Sequence, residues 1–289
     1  MDTYKKIKYM KVQGASEIAI LALEHLKKYA KKHGFGSSFT KECHRFIKVR
    51  PTAVVMHNVL TMAMKNRSLD EIGRLIDELK MARKNIAIYG RKLFSGRRKV
   101  VMTHCHSHEV IDLLKMNKGR VKYVYVKETR PRMQGALTAR DLVKAHEKVR
   151  FITDSSAESY VKEVDIIIIG ADALRIDGLV NKVGTLGLCI LAKEFHKPVY
   201  VVADTFKLDS RKKIKIEQRS AKEVYSTVHD YGNISSLRSL KEIALLRSVK
   251  IMNPAFDITP WKYIHAVVTE KGIFKPNKIK TMINRMNKK

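Results

Sequence analysis

The sequence predicts an α/β chain, with a helical N-terminal region followed by a doubly wound parallel sheet. Near residue 98 the apolar residues change period, from three- and four-residue steps to short β-branched runs. Those runs are continuously apolar, as strands covered on both faces are, and helical stretches separate most of them. At 289 residues the chain suits about two domains of roughly 150 residues each, and the division expected is 1–98 and 99–289.

The first helix carries Val12, Ala15, Ile18, Ala22, Leu26 and Tyr29 on one face, and His33-Gly34-Phe35-Gly36 ends it. A second apolar series runs through Ala53, Val54, His57, Leu60 and Met64. Ser68 and Glu71 form a capping box, with Leu69, Ile72, Leu75, Ile76, Leu79, Ala82 and Ile86 on the face behind it. Strands are expected at Val100–Met102, Val121–Val126, Phe151–Thr153, Asp165–Ile169, Val199–Ala203 and His265–Thr269. Helices are expected over 108–117, 136–147 and 184–196. In such sheets ligands bind beyond the carboxyl ends of the strands. The loops Thr103–His108, Glu128–Gly135, Gly170–Gly178 and Asp204–Lys207 should therefore carry the chemistry.

With 58 Lys and Arg against 28 Asp and Glu, the net charge is +30. Apolar residues make up 45% of the chain, so that charge does not signal disorder. No apolar run approaches the roughly 18 residues that span a bilayer, and MDTYKKIKYM lacks the apolar core of a secretory signal. Cys43, Cys105 and Cys189 are odd in number and widely spaced, which argues against a disulfide framework and fits a reducing cytoplasm.

Thr103-His104-Cys105-His106-Ser107-His108 joins a strand to a helix. A helix start and neighbouring imidazoles would lower the pKa of Cys105, and Ser107 with the backbone amides would hold a phosphate. A buried cysteine beside surface histidines is the plainer account. His104, His106 and His108 alternate on one side of an extended segment but have no partner cluster elsewhere, so no metal is expected. Asp172 ends a buried strand, where a carboxylate is costly unless paired or used. Asn181 and Lys182 precede a helix start and form a phosphate seat with its amides. Arg130 and Gln134 lie in another post-strand loop, and Arg130 suits bidentate phosphate binding. Gly14 and Ala15 open the first helix, and Arg50-Pro51-Thr52 opens another. Neither GxGxxG nor GxxxxGK[ST] follows a strand, so a dinucleotide cofactor is not supported.

THCHS (103–107), ETRPRMQG (128–135), GADALRIDGLVNKVGT (170–185) and NPAFDITP (253–260) resemble a known superfamily. It comprises the ribose-1,5-bisphosphate isomerases, the methylthioribose-1-phosphate isomerases and the regulatory subunits of translation initiation factor 2B. VQGASEIA (12–19) and RPTAV (50–54) resemble its N-terminal motifs. The resemblance runs in order along nearly the whole chain. It implies a Rossmann-like C-terminal domain, a ligand cleft against the helical domain, and a homo-oligomer, a dimer or a hexamer, to which apolar surface near 230–250 would contribute.

Within the superfamily, Cys105 and Asp172 match the isomerase branch, and the non-catalytic branch often lacks the cysteine and the ETRP arginine. Gln13-Gly14-Ala15-Ser16 stands where the isomerases resemble RGAG, so one phosphate-binding arginine is missing. The resemblance thus implies an aldose–ketose isomerase acting on ribose 1,5-bisphosphate in nucleotide salvage, without metal or cofactor. Cys105 would act in hydrogen transfer near C2, by proton relay or hydride shift, and Asp172 on the sugar hydroxyls. Arg50, Arg130, Lys182 and Lys207, with the amides after Gly14, would hold the phosphates. The alternative is a non-catalytic regulatory subunit that binds a sugar phosphate or nucleotide and contacts initiation factor 2 or RNA. Gln13 and the charge support that alternative.

Overall fold

The computed structural model describes all residues except 1, 10, 11, 13, 51, 215, 227–248 and 287–289. Gln13, Pro51 and residues 230–248 of the expected oligomer surface thus lie outside the described residues.

The chain opens with helices α1 (Thr3–Lys8), α2 (Ala15–His33), α3 (Ser37–Val49), α4 (Val54–Asn66) and α5 (Leu69–Gly90). The apolar stripes expected for α2, α4 and α5 meet in one core, where Ile18, Ala22, Leu26, Leu60, Ile72 and Leu79 are buried. Ser68 caps α5 by accepting from the Glu71 amide at 3.0 Å. α5 is long enough to serve two cores: Ile86 and Ala87 pack with Leu113, Val124 and Ile168 of the sheet region.

The sheet region runs β1 (Lys99–Thr103), α6 (His108–Met116), β2 (Val121–Lys127), α7 (Gln134–Lys144), β3 (Val149–Ile152), α8 (Ala157–Tyr160) and β4 (Ile166–Gly170). Then follow β5 (Ala173–Arg175), β6 (Leu179–Lys182), α9 (Thr185–Glu194), β7 (Val199–Val202), β8 (Leu208–Asp209), α10 (Lys222–Ser226) and β9 (Phe256–Thr259). The chain closes with β10 (Ala266–Thr269), β11 (Gly272–Phe274) and α11 (Pro276–Met286). Seven strands form one sheet in the order β11-β10-β7-β4-β1-β2-β3. Its pairs are parallel except for the antiparallel edge β10–β11. All six strands read from the sequence are in this sheet. β4 is buried along its whole length, as its unbroken Ile run requires.

A second sheet, β8-β5-β6-β9, was not expected. The segment Gly170–Gly178, read as a loop, contains β5 and turns back into β6 at Ile176-Asp177-Gly178. Gly178 has φ 157°, and a Cβ there would lie 2.3 Å from the Thr259 carbonyl oxygen. Arg175 folds inward from this hairpin and pairs with Asp209 at 3.1 Å, both nearly fully buried.

Candidate active site

β1 and β4 are neighbours, yet the chain leaves β1 for β2 on one side and returns to β4 on the other. That reversal opens a crevice beyond their carboxyl ends. The loops after β1 and β4 flank a cavity closed from the helical side by Gly14–Ile18, Arg50 and residues 52–54. Gly14, Ala15, Arg50, Cys105, Ser107, Gln134, Asp172, Asn181, Lys182 and Lys207 all line it. One expected residue, Arg130, does not.

Cys105 stands in the left-handed region at φ 70°, a costly conformation for a side-chain-bearing residue. Two threonines hold it there. Its amide donates to Thr129 Oγ1 at 2.9 Å, and its carbonyl accepts from Thr138 Oγ1 at 2.9 Å. Thr129 is itself left-handed, at φ 62°, and the Asp154 carboxylate receives the amides of Thr129 and Arg130 at 3.1 and 2.7 Å.

The thiol is not activated in the way the sequence suggested. Burial pushes Cys105 up to about 11 and Asp172 adds to the effect, while Lys182 opposes it. The helix that was to polarise it begins three residues later, at His108, and the adjacent His104 is neutral. Burial and Lys127 hold His104 down to about 4, and its Nε2 donates to the Val183 carbonyl at 2.9 Å. His106 Nδ1 lies 3.1 Å from Thr138 Oγ1, and His108 Nδ1 lies 3.0 Å from Glu17 Oε1. Among the described residues no group of three or more His, Cys, Asp or Glu side chains is placed to hold a metal ion. A thiol held up at about 11 is protonated near neutral pH.

In the same cavity, burial raises Asp172 above the usual carboxylate range, against the pull of Lys182 and Lys207. Lys207 is buried and ion-paired with Glu109, whose other oxygen accepts from Ser107 Oγ at 2.7 Å. Burial pushes Glu109 up, but Lys207 and Ser107 outweigh it and bring Glu109 to about 2. Asp204 is fully buried nearby and accepts from Ser16 Oγ at 3.2 Å. Its burial and the charges of Glu109 and Glu270 lift it to about 6, against Lys207. One lysine thus balances three acidic side chains under the site. Sequence reading missed Glu109, although a glutamate two residues beyond Ser107, in the first turn of a helix, was visible.

Three expected phosphate contacts are placed differently. The Arg130 guanidinium donates to the Val224 carbonyl at 2.6 Å, because α10 packs over the loop. Arg132, two residues on, lines the cavity instead. The amides that start α9 are taken: the Asp257 carboxylate accepts from Gly184 and Leu186 at 2.8 and 3.1 Å. Asn181 Nδ2 donates to Thr185 Oγ1 at 3.0 Å, leaving Lys182, set over the Phe256 ring at 4.8 Å, as the charge of that seat. At the start of α2, Glu17 folds back over Gly14, where φ is 97° and a Cβ would lie 2.1 Å from Glu17 Oε2. Arg83 Nη1 and His108 Nδ1 hold that carboxylate at 2.9 and 3.0 Å. Burial opposes its ionisation, yet His108 and Arg83 keep it below its ordinary value.

A doubly wound sheet with a cysteine and an aspartate lining one cavity at its switch point, among Arg and Lys side chains, defines an α/β protein with a polar, anion-compatible cleft. Residues 11–276 match the initiation factor 2 subunit family, and the chain belongs to it. It is 34% identical to the ribose 1,5-bisphosphate isomerase of Methanocaldococcus jannaschii, over 95% of this chain and 91% of that protein. To the methylthioribose-1-phosphate isomerase of Acetivibrio thermocellus it is 33% identical, over 93% and 86%. The crystal structure of translation initiation factor eIF-2B from Pyrococcus horikoshii superposes with a TM-score of 0.77, at 26% identity and 96% coverage of both chains.

Proposed function

We propose that this protein is a sugar-phosphate isomerase that converts ribose 1,5-bisphosphate to ribulose 1,5-bisphosphate. The observation that carries the reading is that Cys105 and Asp172 line one cavity together with Arg50, Lys182 and Arg132. The likeness to proteins named ribose 1,5-bisphosphate isomerase supports the choice of substrate. The reaction opens the ring, moves hydrogen from C2 to C1 and turns the C2 hydroxyl into a carbonyl. The ring oxygen gains a proton and the C2 hydroxyl loses one. A protonated thiol suits the donor, and a carboxylate with a raised pKa suits the acceptor. The C2 hydrogen itself travels as a proton or as a hydride.

A second reading takes a sugar 1-phosphate with no second phosphate. Glu17 favours it, since its carboxylate covers the start of α2 where another phosphate would seat. Turnover of ribose 1,5-bisphosphate and of methylthioribose 1-phosphate by the purified protein decides between the two. Loss of turnover in Cys105→Ala and Asp172→Asn is expected for either. Binding of both sugars without turnover of either would sink the isomerase reading and leave the regulatory one.

A further inference from the structure

The sugar-phosphate cleft uses few of the cations that give this chain its charge of +30. The fold sorts the rest. The segments that enter the parallel strands are 91–99, 115–122, 144–150, 162–165, 193–197 and 260–265, and they hold 16 Lys and Arg against 4 Asp and Glu. The segments that leave the same strands at the site end are 104–107, 128–133, 153–156, 171–172, 203–207 and 270–271, and they hold 4 against 5. The strands are parallel, so these are opposite rims of one sheet, and the charge is concentrated on the rim away from the site.

Part of that charge serves the helices. Lys115, Lys144 and Lys193 sit in the last turns of α6, α7 and α9, where a cation complements the exposed carbonyls. Lys118, Lys122, Lys148, Lys162 and Lys262 lie outside those α-helices. They are exposed and make no ion pair with any described residue. Aromatic rings alternate with them. The Arg150 guanidinium lies 3.8 Å over the Tyr123 ring and is half exposed, steadied by Tyr125 Oη at 2.8 Å and Glu163 at 3.2 Å. Tyr160 stacks on Tyr125 at 5.1 Å, and Lys162 lies 5.6 Å over Phe195. Farther along, Lys193 and Lys262 flank Tyr263 at 5.5 and 5.1 Å.

Cations spread along a rim, rather than converging in a cavity, match a ligand whose charge repeats. A second copy of the chain would bring like charge against like charge. Guanidinium and aromatic planes between the cations match a ligand that also carries flat rings. We propose that the amino rim of the sheet binds a single-stranded polynucleotide, with Lys118, Lys122, Lys148 and Lys162 against its phosphates and the Tyr123–Arg150 stack against a base.

The test is fluorescence anisotropy of the full-length protein with a labelled oligouridine of about 20 nucleotides, at several salt concentrations. Four phosphate contacts on a single strand give a slope of log Kobs against log salt of about −3. The variant K122E/K148E/K162E should bind more than about tenfold more weakly with a flatter slope, and Tyr123→Ala should lose about tenfold. The matched reversal K28E/K31E/K32E on α2 should bind as the wild type does. An oligothymidine should bind comparably, since neither contact reads the 2′-hydroxyl, and duplex RNA more weakly, since its bases are already stacked. Equal loss from the α2 reversal, duplex binding as tight as single-strand binding, a salt-independent Kd, or binding only to phosphatidylserine vesicles would each overturn the proposal. Turnover of the sugar phosphate by the rim variants should be unchanged, which separates this result from the fate of the isomerase reading.

Discussion

Lys207→Met is expected to expose the charge balance beneath the site. Lys207 and Glu109 are an ion pair with side chains only 4% and 9% exposed, so solvent screens them little. Holding Glu109 at about 2 instead of its ordinary 4.5 is worth roughly 3 kcal/mol at neutral pH. That stabilisation is present above pH 4.5 and disappears as pH falls toward 2. Lys207 is raised above its ordinary value, so its share is present at neutral pH and is lost only in alkali. Methionine removes the cation and leaves Glu109 and Asp204 buried without it. The cost near pH 7 should be about 3–5 kcal/mol. Near pH 4 an unpaired buried carboxylate takes a proton, so the part of that cost due to its buried charge should vanish, while the loss of the ion pair still counts. Urea unfolding followed by circular dichroism at both pH values measures the difference. A penalty that is the same at both, or a Glu109→Gln/Lys207→Met double variant as unstable at pH 7 as the single one, would refute the reasoning.

Cys105, held up at about 11, should react slowly with iodoacetamide near neutral pH. Mapped by mass spectrometry, its rate should climb about tenfold per pH unit, and a plateau already reached near pH 7 would mean a thiolate. Arg132→Ala should raise KM for the sugar phosphate while leaving Tm unchanged, because Arg132 lines the cavity. Arg130→Ala should instead cost about 2 kcal/mol of stability, since its charge-assisted bond to the Val224 carbonyl is lost. Glu17→Gln should raise the ratio of kcat/KM for ribose 1,5-bisphosphate over methylthioribose 1-phosphate by about tenfold, from relief of one like charge. An unchanged ratio would show that no second phosphate approaches Glu17. Asp257→Ala should lower stability by about 1–2 kcal/mol, read as a shift in urea midpoint, because two helix-start amides lose their acceptor.

The strand pattern was legible because burial on both faces writes itself as an unbroken apolar run, as in Ile166–Ile169. The second sheet was not, because its strands have two to four residues and join only when distant segments meet: Val180 pairs with Ile258, and Leu174 with Leu208. The turn at Asp177-Gly178 was the one local sign of it. Likewise the post-strand loops could be located in advance, since their position follows from strand ends. Which of two arginines in Arg130-Pro131-Arg132 faces the cavity depends on α10 packing over one of them, and α10 lies about 90 residues away in sequence.

The misread thiol and the misread phosphate seats share one cause. A helix start can be recognised from local sequence, and the rule that its amides attract anions is sound. The rule does not say that the anion comes from outside. At α9 the acceptor is Asp257, which arrives more than 70 residues later. At α2 the carboxylate lying over the helix start is Glu17, pinned by Arg83 from α5 and His108 from α6. With both seats occupied by the protein's own carboxylates, a bound phosphate must be met mainly by side-chain cations. Arg50 and Lys182 make no ion pair with any described residue, and Arg132 makes only a long one, to Glu223 at 3.9 Å, so these are charges the cavity has to offer. A site built that way recognises its ligand by net charge as much as by hydrogen-bond geometry. On the proposed reading, the sugar ring's orientation then falls to the firmly held backbone at Cys105 and to Asp172 in the same cavity.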